Sequence, residues 1–81
     1  MAHQSKVLWL LSIDGHHLQC HVNTDQPLAD HLKNKYAEAF DVSPSSLILV
    51  FDGEKIQDQD TFDSLALEDD DIIDVLVAAI H

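Results

Sequence analysis

Apolar and polar positions follow two different periods along this chain. Val7-Leu8-Trp9-Leu10-Leu11-Ser12-Ile13 is rich in aliphatic residues, Asp14-Gly15 interrupts it, and His17-Leu18-Gln19-Cys20-His21-Val22-Asn23 alternates polar and apolar. A period of two places successive side chains on opposite faces of a strand, and Asp-Gly is a strong turn signal, so this stretch predicts a β-hairpin. From Pro27 the spacing becomes helical: Leu28, Leu32, Tyr36 and Phe40 recur every fourth residue with Ala29 and Ala39 beside them, while Asp30, Lys33, Asn34 and Glu38 fall opposite. The pattern predicts one amphipathic helix, with Asp25 or Gln26 as its cap, Pro27 in its first turn and its end before Pro44. Leu47 to Phe51 predicts a third strand, Lys55-Ile56 a short fourth, and Ile72 to Ala78 the last, with Thr61 capping one helical turn through Leu65. The order ββαβββ implies an α+β fold, a sheet with one long helix across it.

Strands three and five are apolar at nearly every position. Leu47, Leu49 and Phe51 oppose Ile48 and Val50, and Ile73 and Val75 oppose Ile72 and Leu76, so both faces of the sheet carry large aliphatics, as in sheets covered on both sides. Strand one allows two registers. A two-residue Asp-Gly turn pairs Leu11 with Leu18 and Trp9 with Cys20, all facing the helix. A three-residue turn with Gly15 in the left-handed position pairs Leu10 with Leu18 and Leu8 with Cys20, and turns Trp9 outward.

Two segments carry a family resemblance. Phe51-Asp52-Gly53-Glu54-Lys55-Ile56, then Leu65-Ala66-Leu67-Glu68-Asp69-Asp70-Asp71-Ile72-Ile73-Asp74-Val75, resemble the second half of the small ubiquitin-related modifiers (SUMO), with Leu32 and Tyr36 also in family positions. The resemblance runs from Val7 to Leu76. It implies a β-grasp ubiquitin-like fold with a mixed sheet, in one domain over residues 1–81 with an ordered core of about 6–78. It is close to the SUMO-like domains built into larger genome-maintenance scaffold proteins, which are not themselves conjugated. It favours the three-residue turn, and with it an outer sheet patch of Trp9, Leu11, Ile48, Val50 and Leu76, where SUMO mostly shows polar residues. An exposed apolar patch of this kind marks an interface.

The family offers two more surfaces. SUMO takes extended peptides beside its second strand, in a groove whose floor corresponds to Cys20, Val22, Leu32 and Tyr36 and whose basic flanks correspond to His21, Asn23, His31 and Lys35. Here those flanks are mostly uncharged. SUMO also binds its conjugating enzyme through an acidic corner, which corresponds to Glu68, Asp69, Asp70, Asp71 and Asp74 with Asp52 and Gly53 in the neighbouring turn. A conjugatable modifier ends in Gly-Gly, whereas this chain ends Val77-Ala78-Ala79-Ile80-His81 and its two glycines sit at turns. A non-conjugated module is the expectation.

Composition narrows the partners. Four lysines against fifteen carboxylates give a formal charge of −11 across 81 residues, which argues against nucleic acid and anionic membranes and for basic protein partners. The lone Cys20, in an alternating strand, reads as a small core residue and cannot form an intrachain disulfide, and no apolar signal-like segment opens the chain, so nucleus or cytoplasm is expected. No nucleophile, phosphate loop or carboxylate pair points to catalysis. His17 and His21 share a strand face near His16 without a recognised ligand spacing, and Asp58, Asp60 and Asp63 lack the glycine and glutamate of a calcium loop, so neither metal nor other cofactor is expected. The chain thus reads as a non-enzymatic docking module for the SUMO conjugating enzyme or another SUMO-pathway protein. The alternatives are a homodimerising or intrachain structural domain, and a modifier whose Gly-Gly tail has been removed.

Overall fold

The computed structural model describes residues 5–78. Five strands, β1 (Ser5–Ser12), β2 (His17–Asn23), β3 (Leu47–Phe51), β4 (Glu54–Lys55) and β5 (Asp71–Val77), form one sheet in the order β2-β1-β5-β3-β4. β1 and β5 run parallel at its centre, and the other pairs are antiparallel. One helix, α1 (Ala29–Phe40), packs across a single face. This is the expected α+β arrangement, a mixed sheet grasping a helix.

The first hairpin settles the register. Gly15, at φ +93°, donates its N–H to the Ser12 carbonyl at 3.1 Å, and Ser12 donates its own to the His16 carbonyl at 2.8 Å. That is a three-residue turn, and it pairs Leu10 with Leu18 and Leu8 with Cys20. Ile13, expected in the strand, stands in the turn and is almost wholly exposed. The second Asp-Gly makes a different turn: Asp52 (φ +54°) and Gly53 (φ +80°) are its two central residues, closed by the Phe51–Glu54 pair. Positive φ at both positions suits the strand twist, and aspartate and glycine tolerate it.

The inner face of the sheet supplies Leu8, Leu10, Cys20, Val22, Leu47, Leu49, Ile73 and Val75 to the core, and α1 supplies Ala29, Leu32, Tyr36 and Ala37. The helix begins later than the spacing predicts, and Leu28, not Asp25 or Gln26, is its cap. Its approach is pinned instead to the segment after β4. Pro27 bridges to Thr61, and the Leu28 N–H donates to the Asp60 carbonyl at 2.9 Å, so the backbone there is held by partners far along the chain. At the other end Asp41 adopts φ +56° and the Val42 N–H reaches back to the Ala37 carbonyl at 3.1 Å, a left-handed closure before Pro44. Thr61 and Ser64 cap one another reciprocally, as a single turn expects: each backbone N–H donates to the other's hydroxyl, at 2.8 and 3.0 Å. This turn seats Phe62 and Leu67 in the core.

Candidate protein-docking surface

The outer face of the sheet has no cover within the described residues. Strand alternation sends Trp9 and Leu11 of β1, Ile48 and Val50 of β3, and Ile72 and Leu76 of β5 to this side. All six are half-buried or exposed, and Leu76, 41% exposed, follows Val75 at 1%. Each residue of the patch read from the sequence lies here. Ile72, 54% exposed and paired with Trp9 across the parallel ladder, belongs to it as well.

Asp74 needs reassignment. The sequence groups it with the acidic corner, but three residues into β5 it faces outward in mid-sheet, between Leu11 on β1 and Val50 on β3. It is a carboxylate set within the apolar patch. The rest of the corner sits where β5 begins, and Asp52-Gly53 lies at that end too, because β3 leaves the sheet one residue beyond the Val50–Asp74 pair.

The corner is built by its own carboxylates. An Asp69 carboxylate oxygen accepts the Val7 N–H at 2.7 Å, and the Asp70 N–H donates to the Val7 carbonyl at 2.7 Å, which ties the turn to β1. Asp71 accepts the Glu68 N–H at 2.8 Å and returns its own N–H to the Glu68 carbonyl at 3.1 Å. Asp70, in the left-handed region at φ +70°, accepts the Trp9 indole N–H at 3.3 Å. Glu68, Asp69 and Asp70 remain exposed, so each anion keeps free lone pairs towards solvent. Trp9, Leu11, His17, Asp70 and Ile72 line one shallow depression, and the Trp9 and His17 rings stand 6.2 Å apart. An aromatic face beside a fixed carboxylate can receive a lysine or arginine side chain.

The groove between β2 and α1 is less open than the resemblance implies. Cys20, Val22, Leu32 and Tyr36 are all buried. Cys20 and Val22 each border a small cavity, whereas Leu32 and Tyr36 border neither, because they face the core beneath. His21 and His31 border both cavities, Asn23 one and Lys35 the other. Burial raises the Cys20 thiol pKa, against a smaller lowering by the Lys35 charge, which disfavours the thiolate form.

Histidines elsewhere have separate roles. His16 stacks on Phe40 with ring centroids 4.8 Å apart, while His17 faces Trp9. Among the described residues no three His, Cys, Asp or Glu side chains converge as metal ligands, and no helix is long and apolar enough to cross a membrane.

Comparison with known proteins agrees with this architecture. A segment of 44 residues, 54% of this chain, is 48% identical to a small ubiquitin-related modifier of Caenorhabditis elegans and covers 48% of that protein's length. Residues 7–77 match the family described as ubiquitin-2 like Rad60 SUMO-like. That match takes in the helix and all of the sheet except the first two residues of β1, and the chain belongs to this SUMO-like family of ubiquitin-like domains.

Proposed function

We propose that this domain is a non-catalytic docking module that binds the SUMO conjugating enzyme through its acidic corner and outer sheet face, within a nuclear genome-maintenance protein. The observation that carries the reading is the Trp9–Asp70 contact, which joins the anionic corner to the apolar patch in one continuous surface. A surface of this kind suits a partner with basic side chains around an apolar contact, and a net charge of −11 steers such a partner in. SUMO-like domains generally mediate protein interactions and have a generally non-enzymatic fold, which agrees with the reading.

Titration of the purified conjugating enzyme at low and at physiological salt tests it. Rim ion pairs contribute about 0–1 kcal/mol each and are screened over a Debye length of about 8 Å in physiological salt, so affinity falls as salt rises. Asp70→Asn is the sharper variant. It keeps an oxygen for the Trp9 N–H and a side chain that tolerates positive φ, and removes only the charge. It folds normally and binds ~2- to 5-fold more weakly, as loss of one rim pair implies. Absence of binding at low salt, or full affinity in both Asp70→Asn and Trp9→Ala, rejects the docking role.

The exposed apolar face favours one rival, a homodimer or an intrachain contact. Self-charge opposes the dimer, and sedimentation over a wide concentration range decides it. The modifier reading requires a natural chain that continues into Gly-Gly.

A further inference from the structure

We propose that His31 is a latch that holds the free edge of β2 closed against strand addition. β2 ends the sheet, so among the described residues one side of its backbone has no neighbouring strand. Hydrogen-bonded and non-hydrogen-bonded pairs alternate along an antiparallel ladder, and Ser12–His16 is a hydrogen-bonded one. Counting from it, Leu18, Cys20 and Val22 bond to β1, while the N–H and C=O groups of His17, Gln19, His21 and Asn23 point to the open edge. Such a row is a template for any extended segment.

Two of those acceptors are already taken: the Asn23 carbonyl accepts the Gln26 N–H at 3.4 Å in the turn that ends β2, and the second lies within the strand. The His31 Nε2 lies 3.0 Å from the His21 carbonyl oxygen. A carbonyl only accepts, so Nε2 carries the proton and donates. His31 comes from α1, and its ring therefore spans the groove from the helix to the strand edge. A cavity of about 110 Å³ lies on one side and one of about 470 Å³ on the other, and His21 and His31 border both. The ring thus divides what is otherwise one trough along β2.

An incoming strand has to take the His21 carbonyl from His31, and the ring has to leave the groove. His31 is exposed, so a side-chain rotation releases it without movement of α1. The latch is a local barrier on a surface separate from the acidic corner, and it stands whether or not the docking reading does.

The test uses three variants and one neutral probe, a capped six-residue peptide of alternating valine and threonine, titrated by NMR. His31→Ala removes ring and donor; His31→Phe keeps a ring without a donor; His31→Gln keeps a side-chain N–H. The position is exposed on the helix, so all three fold. A net hydrogen bond of ordinary strength corresponds to a ~2- to 10-fold gain in peptide affinity for His31→Ala, with His31→Gln close to the parent. The His21 carbonyl carbon resonance moves upfield in His31→Ala and His31→Phe and holds in His31→Gln, which reads the contact without the peptide. An unmoved carbonyl resonance, a His31→Ala domain that binds the peptide no better than the parent, or an equal gain in His31→Gln overturns the latch.

Discussion

The two faces of the sheet are made from the same strands and nearly the same residue types, yet they have opposite fates. On the inner face Leu8, Leu10, Leu49, Ile73 and Val75 are at most 1% exposed beneath α1. On the outer face Leu11, Ile72 and Leu76 are 38–54% exposed, with a carboxylate, Asp74, among them. Residue hydrophobicity therefore does not decide burial in a chain this short. With one α-helix, the described residues cover one face, and apolar area is favourable to bury wherever a cover exists, at about 25 cal/mol per Å². The difference between the faces is a difference in what the rest of the chain supplies, and the uncovered face is the one whose rim carries the acidic corner.

Adjacent residues of β5 give the widest separation between the faces. Val75→Asp places an unpaired charge in the core, a cost of the order of the whole folding stability of about 4–12 kcal/mol, and the domain is expected to be unfolded by circular dichroism. Leu76→Asp, one residue later, points to the other side and changes stability by less than about 1 kcal/mol. If both unfold, the outer face is a second core and the comparison fails.

A finer contrast lies on β3. Leu49→Ala leaves a cavity among well-packed neighbours and costs about 2–5 kcal/mol in urea unfolding. Ile48→Ala, half-buried and paired with exposed Leu76, costs about 1 kcal/mol or less when the domain is alone. Repeated with the conjugating enzyme bound, the Ile48→Ala cost is expected to grow, because a partner then supplies the missing cover. A cost that stays constant separates the patch from the docking surface.

Period and turn chemistry made most of this fold legible. β2 and β3 have the expected bounds, and the outward Trp9 follows from a turn that residue type alone left open. The two Asp-Gly dipeptides show why: one makes a three-residue turn and the other a two-residue turn, because the flanking strands select the register and the dipeptide accepts either. What stayed hidden depends on residues distant in sequence. The late start of α1 is imposed by Asp60 and Thr61, and the Trp9–Asp70 and His31–His21 contacts join elements brought together only by the finished sheet. Asp74 is the exception, since alternation from Ile73 and Val75 already turns it outward.

The smallest effect concerns the hairpin that fixes which face is which. Ser12 is a buried polar residue at the end of β1; its hydroxyl donates to an Asp14 carboxylate oxygen and accepts the His16 N–H at 3.1 Å. The hydrogen bond from Ser12, helped by the charge of His16, lowers the Asp14 carboxyl below its ordinary value of 3.8. A carboxyl depressed on folding adds stability that is fully present above its unfolded pKa and is lost as pH falls through the folded value. Asp14 is fully exposed, so the contribution is small and salt-sensitive. The expected signature is a parent domain slightly more stable than Asp14→Asn near about pH 5.5, with the gap closing in acid as pH falls through the lowered folded value and the aspartate protonates. Because the substituted amide does not titrate, the difference between the two urea midpoints isolates this carboxyl from the other fourteen. A gap that persists unchanged into acid assigns the stabilisation to the turn's backbone geometry rather than to the charged hydrogen bond.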